Sequence, residues 1–477
     1  MAQKMTLNAW HEALRDHKIA VIGAGISNRP LLRWLAPQSD RITVFDRMDP
    51  NDPRMRAIRH AFDDEGLRFQ WSLGPDYLRR LHGFDVIFRT PKMDLQLAEL
   101  IAERERGAVI TSEIAVVCDA SPAPVTAVTG SDGKTTTTTL IGKMLEAAGH
   151  TVHVGGNIGT PLIDRIDRIR PTDRVVLELS SFQLMDMLPV IDRAVITNIV
   201  PNHLDFHRTF DEYVNAKKNI FRAQSPAGIL VLNAQDAVSA PFNREAKGEV
   251  RYLNAPRTGR MCTARRENDA LWLDDPIRDT RTKIINVDEV RLPGDFNLEN
   301  IMAATLATYG DVYWDAVRRV ARTFAGVPHR MEWVCNVDGV DFYNSSVDSS
   351  PQRTIKTLGA FRDAGRSIVL IAGGQDKKSD YTGLGQAIAE TTDRVILTGQ
   401  NIDLIRRSIE AECASAGRCP DQMTVLEADD LDRAVTMALE LAHPGDGVVM
   451  SPAGTSYDRF HHFEERGERF RALVRRL

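Results

Sequence analysis

Residues 129–140 read TGSDGKTTTTTL, and this stretch decides how the middle of the chain folds. The residues before it, PVTAVTG (124–130), have the β-branched pattern of a strand, and TTTTLIGKMLEAAGH (136–150) has the apolar spacing of a helix. A glycine-rich turn between a strand and a helix N-terminus favours an anion, because backbone N–H groups and the helix dipole point at it. The common phosphate loop has a glycine five positions before Gly133, where this chain has Val128. The sequence therefore predicts a phosphate loop of a shorter type.

The residue types in this turn fit a nucleotide. Gly130 and Gly133 allow the backbone to come close to a phosphate. The Lys134 side chain can reach β- and γ-phosphates, and the Thr135 hydroxyl can bind Mg²⁺. Asp132 is unexpected beside a polyanion, and the sequence offers no physical reason for it. The alternative is a plain glycine-rich turn with a solvated lysine.

A second magnesium ligand is predicted in RVVLELSSFQL (174–184). Glu178 ends an apolar strand there, and burying a carboxylate is costly unless a positive charge meets it. Magnesium would supply that charge. The competing interpretation is a glutamate at a strand end that faces water.

Lys217 lies on the apolar side of a predicted helix. In RTFDEYVNAKKNIF (208–221) the helical period puts it with the apolar residues, whereas Lys218 faces elsewhere. Burial lowers the pKa of a lysine, and the neutral amine can pair, form a Schiff base, or take up CO₂ as a carbamate that binds magnesium. Upstream, TNIVPNHLDFH (197–207) places His203 past a strand end, as a candidate second ligand. The alternative is a lysine whose amine reaches solvent.

Length and composition exclude several classes of protein. The 477 residues are too many for one hydrophobic core, so two to four domains are expected. The net charge of −5, from 60 basic and 65 acidic residues, gives no basic surface for nucleic acid. Apolar runs are only strand-length and the N-terminus lacks a signal-peptide core, so no membrane span is expected. Five scattered cysteines without a C-x-x-C pair favour a reducing cytoplasm over disulfides or zinc.

Alternation of short strands and helices predicts an α/β protein built from three domains. Pro- and Gly-containing breaks place the domain boundaries near 119 and 327, which gives domains 1–118, 119–326 and 327–477. Residues 240–290 are polar and irregular, and the sequence predicts few strands there.

The first domain opens with its own glycine turn, VIGAGIS (21–27), after a strand. Asp46 follows about twenty residues later, as in a dinucleotide-binding unit. The third glycine of that fingerprint is absent, because Asn28 stands in its place. From these residues alone, NAD binding and UDP binding are comparable.

Nine motifs, taken in order, resemble the Mur ligases over nearly the whole chain. After the GSDGKTT loop they are GGNIGTPL, LELSSFQL, ITNI with NHLDFH, YVNAKKNI, LPGDFNLENIMAA, PHRMEWV, GGQDK and SPAGTSYDRFHHFEERG. The combination is most similar to the branch that adds D-glutamate to UDP-N-acetylmuramoyl-L-alanine. The resemblance implies a cytoplasmic ATP-dependent ligase of peptidoglycan precursor synthesis, with two Mg²⁺ ions, and we expect a monomer that binds neither nucleic acid nor membrane. It favours UDP over NAD at the first glycine turn.

The resemblance also implies which residues form each site. ATP would bind between the central and C-terminal domains, and the first, Rossmann-like domain would hold the UDP-sugar. The ATP site would comprise Gly130, Ser131, Asp132, Gly133, Lys134, Thr135, Thr136, Asn297, Asn300 and Arg330. The metal ligands would be Thr135, Glu178, His203 and carbamylated Lys217, and the catalytic residues would be Lys134, Glu178, His203 and Lys217. The UDP-sugar would meet Ser27, Asp46, Arg47, Thr90, Asn157, Ser180 and Gln183. A Rossmann-like C-terminal domain would bind D-glutamate through Ser349, Lys377, Ser456 and Phe463.

One segment departs from the family pattern. Where the family usually has Asn-Asp-Ser-Lys-Ala-Thr, this chain has NSSVDS, so Ser345 replaces the aspartate and Val347 replaces the lysine. Asp348 is a candidate substitute for the aspartate, and Lys377 is expected to supply more of the positive charge for an acidic amino acid. Three alternatives stay open: another Mur ligase, a folylpolyglutamate synthetase-like ligase, and a nucleotide-binding regulator without ligase activity.

Overall fold

The computed structural model describes residues 4–203, 206–256, 261–417 and 420–477. Contacts divide the chain into two compact units. The first contains Met1–Ile284 and Asn300–Val320, and the second contains Ile285–Glu299 and Ala321–Leu477. In the described part of the chain, none of the helices has the length and apolar character needed to cross a membrane.

The N-terminal sheet is parallel and has five strands in the order β3-β2-β1-β4-β5. Its strands are β1 (Ile19–Ile22), β2 (Ile42–Asp46), β3 (Gln70–Leu73), β4 (Val86–Phe88) and β5 (Val109–Thr111). The helices around it are α1 (Leu7–Leu14), α2 (Asn28–Leu35), α3 (Pro53–Asp64), α4 (Ala98–Glu105) and α5 (Glu113–Ala120). The fully buried β1 and β2 explain why these segments read as continuous apolar runs.

The central sheet has nine strands in the order β14-β13-β12-β11-β10-β9-β6-β8-β7. Its strands are β6 (Val125–Thr129), β7 (Val152–Gly156), β8 (Arg174–Glu178), β9 (Arg193–Ile196), β10 (Ile229–Asn233), β11 (Glu249–Leu253), β12 (Thr263–Glu267), β13 (Ala270–Asp275) and β14 (Thr280–Asn286). The helices that follow these strands are α6 (Lys134–Ala147), α7 (Ser181–Leu184), α8 (Phe210–Arg222), α9 (Asp295–Thr308) and α10 (Trp314–Thr323). Strands β6 and β8 are neighbours, so their carboxyl ends bring the phosphate loop and Glu178 to one edge.

The prediction of few strands in residues 240–290 was wrong, because β11 to β14 lie there. Strands β12 and β13 form an antiparallel hairpin whose opposed charges pair across the strands, as Arg265 does with Asp274 at 2.6 Å. Charged residues interrupt the apolar sequence pattern of both strands, although β13 is almost entirely buried, so this pattern is weaker than that of the buried parallel strands.

The C-terminal sheet has six strands in the order β15-β16-β20-β17-β18-β19, all parallel except the β15–β16 pair. Its strands are β15 (Glu332–Val337), β16 (Val340–Asn344), β17 (Ile368–Ala372), β18 (Arg394–Leu397), β19 (Thr424–Glu427) and β20 (Gly447–Met450). Its helices are α11 (Pro351–Asp363), α12 (Leu384–Thr391), α13 (Ile402–Glu412), α14 (Leu431–Leu441) and α15 (Phe463–Val474). The predicted α/β class with mostly parallel sheets is confirmed. The exact boundaries of the three domains stay predictions.

Candidate active site

The phosphate loop connects the end of β6 at Thr129 to the start of α6 at Lys134. Gly130 and Gly133 have φ angles of +150° and +79°, a region that side chains rarely adopt. A Cβ at Gly130 would lie 1.9 Å from Thr197 Oγ1, and one at Gly133 would lie 2.5 Å from Asn300 Oδ1. Both positions therefore require glycine, because a side chain would clash with its neighbours and would strain the backbone.

The loop is held in shape by the segment after β9. The Ser131 N–H donates to the Asn198 carbonyl at 2.8 Å, and its hydroxyl donates to the Val200 carbonyl at 2.9 Å. The Thr197 hydroxyl donates to the Asp132 carbonyl at 2.6 Å, and the Asp132 N–H donates to Asn198 Oδ1 at 3.0 Å. The backbone of Asp132 thus anchors the loop while its side chain is exposed.

The Lys134 ammonium lies directly over the loop. Its Nζ donates to the carbonyls of Gly130 at 3.0 Å and Ser131 at 2.8 Å. Thr136, in the first turn of α6, is half-buried. The positive charge is already placed where a loop-bound anion needs it.

Glu178 is a buried carboxylate, 1% exposed, at the end of β8. The Thr135 hydroxyl donates to its Oε2 at 2.7 Å, and the Asn157 amide donates to its Oε1 at 2.8 Å. A carboxylate and a hydroxyl in contact are the hard oxygen ligands that Mg²⁺ prefers, so these residues fit the first metal. Asn157, which we expected at the UDP-sugar, lies against the candidate metal ligand.

Lys217 on α8 is 1% exposed and points at the same loop. Its Nζ donates to the Gly130 carbonyl at 2.6 Å and lies 4.6 Å from the centre of the Tyr213 ring. Burial, followed by repulsion from Lys134, lowers the pKa of Lys217 well below its ordinary value. The prediction that Lys217, unlike Lys218, turns inward is confirmed by its burial, whereas carbamylation stays a prediction.

Two histidines follow β9 and differ in exposure. His203 is exposed, has φ +55°, and its ring centre lies 5.0 Å from that of Phe182. His207 is fully buried, stacks on Phe182, and its Nε2 lies 2.9 Å from Ser181 Oγ. Sequence reasoning did not single out His207, although its spacing of four from His203 was visible. Among the described residues, no group of three or more His, Cys, Asp or Glu side chains could hold a metal.

Ser180 and Gln183 form reciprocal hydrogen bonds at the start of α7. The Ser180 N–H donates to Gln183 Oε1 at 2.9 Å, and the Gln183 N–H donates to Ser180 Oγ at 3.3 Å. Both side chains are buried in this reciprocal cap. Their predicted contact with the UDP-sugar remains a prediction, and the structure gives them a role in forming the helix.

The predicted adenine-side residues belong to different parts of the fold. Asn300 Oδ1 accepts the Thr137 hydroxyl at 3.1 Å and faces Gly133, so it lies at the phosphate loop. Asn297, in the second unit, donates to the Pro293 carbonyl at 2.7 Å, and Arg330 of that unit is exposed.

The glycine turn of the N-terminal domain is closed by its own side chains. Asp46 Oδ2 accepts the Ala24 N–H at 2.8 Å, and the Asn28 amide donates to the carbonyls of Ile22 and Gly23, both at 2.9 Å. Asn28 thus fastens the turn at the position where a dinucleotide fingerprint has glycine.

A cleft of about 550 Å³ lies beside this turn, and Asp46 is part of its lining. Arg47 next to it is exposed, and Ser27 makes no capping bond to α2. Thr90 stands over the turn, because a Cβ at Gly23 would lie 2.5 Å from Thr90 Cγ2.

Two loops of the C-terminal domain bring Lys377 beside Tyr457. Gln375 and Thr455 exchange backbone hydrogen bonds of 2.8 and 2.9 Å, which joins the loops after β17 and β20. The Lys377 ammonium lies 5.3 Å from the centre of the exposed Tyr457 ring. The other predicted D-glutamate residues are buried Ser456 and partly buried Ser349 and Phe463.

The segment that departs from the family pattern is largely buried, and Val347 within it is half-buried. Ser345 is 0% exposed and accepts the Met331 N–H at 3.2 Å. Asp348 accepts the hydroxyls of Thr357 at 2.7 Å and Ser451 at 2.8 Å. The Asp348 carboxylate is therefore engaged inside the domain, which argues against its standing in for a ligand-facing aspartate.

Family models match two parts of the chain. The Mur ligase middle domain matches residues 128–308, and the Mur ligase glutamate ligase domain matches residues 329–454. The solved structures of a UDP-N-acetylmuramate-alanine ligase from Thermotoga maritima and of MurF from Acinetobacter baumannii share the fold. Their TM-scores are 0.54 and 0.55, each at 15% identity, and they cover 96% and 83% of this chain and 99% and 92% of their own chains.

Two relatives that match this chain along nearly their whole length have the same name. A protein of Acetivibrio thermocellus is 44% identical over 98% of each chain, and one of Ruminiclostridium cellulolyticum is 42% identical over 99% of each chain. Both are named UDP-N-acetylmuramoylalanine–D-glutamate ligase. With these similarities and the two family domains, the chain belongs to the Mur ligase family and is most like its D-glutamate-adding members.

Proposed function

We propose that this chain is an ATP-dependent amide ligase that joins D-glutamate to UDP-N-acetylmuramoyl-L-alanine through an acyl phosphate, releasing ADP and phosphate. One observation carries the proposal. The amines of Lys134 and Lys217 both contact the Gly130 carbonyl, and the Thr135–Glu178 pair lies at the other end of the same loop. Positive charge and oxygen ligands therefore meet at one strand–helix junction, as phosphoryl transfer requires.

The chemistry follows from this placement. A carboxylate cannot form an amide in water directly, because oxide is a poor leaving group. The carboxylate oxygen of the UDP-sugar attacks the γ-phosphorus of ATP, and the bond between that phosphorus and the β,γ-bridging oxygen breaks to release ADP. The Lys134 ammonium, which already donates into the loop, neutralises charge on the transferring phosphoryl oxygens.

The second step forms the amide. The neutral amine of D-glutamate attacks the acyl carbon, loses a proton, and phosphate departs with the former carboxylate oxygen. Thr135 and Glu178 would hold a magnesium ion, which supplies charge neutralisation at the phosphates when bound. His203 and a carbamate on Lys217 would hold a second ion, and the low pKa of Lys217 supports that role, since a carbamate forms on a neutral amine.

The remaining residue assignments are part of the proposal. The cleft beside the first glycine turn would receive the UDP group, and the exposed Lys377 with Ser456 and Phe463 would receive D-glutamate. Of the two departures from the family pattern, Ser345 is buried inside the C-terminal domain and Val347 is half-buried, and the activity assay distinguishes a ligase from an inactive regulator.

The test is a phosphate-release assay with two acceptors. Protein, ATP and Mg²⁺ are mixed with both UDP-N-acetylmuramoyl-L-alanine and D-glutamate, or with either one omitted, and Lys134→Met serves as the inactive control. We expect release that requires both acceptors and is lost in the variant. Release that ignores both acceptors would rule the proposal out, and ATP binding without ADP formation would favour a regulator.

An amino-acid panel separates the neighbouring ligases. L-lysine, meso-diaminopimelate and a folate acceptor replace D-glutamate or the UDP-sugar in otherwise identical reactions. The proposal expects phosphate release only with D-glutamate. A parallel NADH fluorescence titration is expected to show no binding, because Asn28 fastens the turn at the position where a dinucleotide fingerprint has its third glycine.

A further inference from the structure

Arg89, just after β4, is a buried arginine whose hydrogen bonds are all made within the protein. Its side chain is 1% exposed. Nε donates to Asp186 Oδ2 at 2.6 Å, and one Nη2 hydrogen reaches Asp186 Oδ1. Nη1 donates to the carbonyls of Thr90 at 2.9 Å and Pro91 at 2.8 Å, and Nη2 donates to the Phe182 carbonyl at 3.0 Å. These five bonds use all five N–H groups of a guanidinium.

The five bonds connect both halves of the candidate site. On one side they hold the backbone carbonyls of Thr90 and Pro91. The Thr90 methyl group lies against Gly23 of the glycine turn. On the other side they hold the Phe182 carbonyl, four residues beyond Glu178. The Phe182 ring packs against His203, with ring centres 5.0 Å apart.

Stability alone does not account for this arrangement. A buried ion pair is weak evidence for stability, since apolar residues of similar volume often replace one at little cost. An apolar pair cannot replace the three bonds to carbonyl oxygens, which fix the orientation of two loops from separate sheets. The arrangement therefore supplies geometry that packing would not.

We propose that Arg89 is a positioning residue that sets the distance between the UDP end of the bound sugar nucleotide and the phosphate loop. This inference rests on the proposed function. The nucleotide would be held at the glycine turn and its carboxylate would react beside Glu178, so one rigid connection between these points keeps the carboxylate in line with the γ-phosphate. Arg89 and Asp186 touch neither reacting group.

The test compares two replacements of the pair, after the parent protein has shown acceptor-dependent phosphate release. Arg89→Met alone leaves the Asp186 charge partly buried and without its ion-pair partner, and the melting temperature of this variant is expected to fall. The double variant Arg89→Met with Asp186→Leu removes that charge, and its melting temperature is expected to return close to the parent value. In both variants kcat/KM for UDP-N-acetylmuramoyl-L-alanine is expected to fall by ~100-fold, the order of loss caused by an ångström of misplacement. The KM for ATP is expected to change less than twofold.

A matched control is Arg265→Met with Asp274→Leu, which replaces another largely buried ion pair of the same unit on the β12–β13 hairpin. This variant is expected to keep the parent kcat/KM. A double Arg89/Asp186 variant that regains activity together with its melting temperature would show a purely structural role and overturn the inference. A KM for ATP that rises as steeply as kcat/KM for the UDP-sugar falls would also overturn it. A parent protein without acceptor-dependent release would instead refute the proposed function.

Discussion

At the scale of the residue, the burial of Lys217 at the candidate site lowers the stability of the folded protein. An amine that is 1% exposed and close to Lys134 is costly to protonate, which is why its pKa lies well below the ordinary value. The sequence predicted its inward direction from the apolar stripe of one helix. Its repulsive neighbour could not be predicted, because that neighbour comes from another element.

Lys217→Met is expected to stabilise the protein near neutral pH while lowering kcat by at least ~100-fold, the order of loss for one electrostatic group. Between the lowered folded-state pKa and the ordinary value of 10.5, the unfolded chain binds more protons than the folded one, so parent stability rises with pH. Methionine does not titrate, so the advantage of the variant should shrink as pH approaches 10.5. Urea unfolding in CO₂-free buffer from pH 6 to 10 measures this difference.

An advantage that grows with pH would contradict this account of Lys217. The carbamate is tested separately with Lys217→Ala, whose smaller side chain leaves room for acetate or formate. Partial rescue by these carboxylates is expected, and full activity without them would remove the proposed role.

The glycines of the phosphate loop make a second prediction at this scale. Gly133→Ala must place a Cβ 2.5 Å from Asn300 Oδ1 at φ +79°, so the KM for ATP should rise at least ~10-fold. Gly149→Ala is the control, because Gly149 has φ +93° with nothing within 4 Å. Both variants should lose ~1 kcal/mol or more to backbone strain. Steady-state kinetics with ATP as the varied substrate measures the difference, and equal KM values for the two variants would argue against a phosphate role for this loop.

At the scale of the element, the site could be predicted where one strand and its following helix carry the signal. The β6–α6 loop and the buried Glu178 on β8 follow from local patterns. The engagement of Asn157 with Glu178 could not be predicted, since it depends on the pairing of β7 with β8. The cap between Ser180 and Gln183 follows the S-x-x-Q spacing of a capping box, although the resemblance led us to expect only substrate contacts.

The α7 cap supplies a test at this scale. Ser180→Ala removes an N-cap and should cost ~1 kcal/mol of stability, and it should raise the KM for the UDP-sugar because α7 carries Phe182. Asp430→Ala, which uncaps α14 in the other unit, should cost a similar amount and leave that KM unchanged. Thermal unfolding and kinetics are measured on both variants, and similar KM values would show that the cap acts on folding alone.

At the scale of the whole molecule, three α/β sheets were predictable because buried parallel strands such as β6, β17 and β20 read as continuous apolar runs. The hairpin strands β12 and β13 were not predictable, since charged residues such as Arg265 and Asp274 interrupt their apolar pattern and pair with each other in a largely buried ion pair. Long-range hydrogen bonds such as those of Arg89 cannot be predicted from one sequence, because no local sequence pattern indicates which residues pair. Motif order along nearly the whole chain identified the family, as the relatives confirm.

The central claim is that the bound sugar-peptide carboxylate becomes an acyl phosphate at the β6–α6 junction. Oxygen-18 placed in both carboxylate oxygens of UDP-N-acetylmuramoyl-L-alanine tests it most directly. The account predicts that each turnover transfers one labelled oxygen to inorganic phosphate and leaves the other in the new amide, as read by mass spectrometry. Phosphate that stays unlabelled while the amide forms would contradict it.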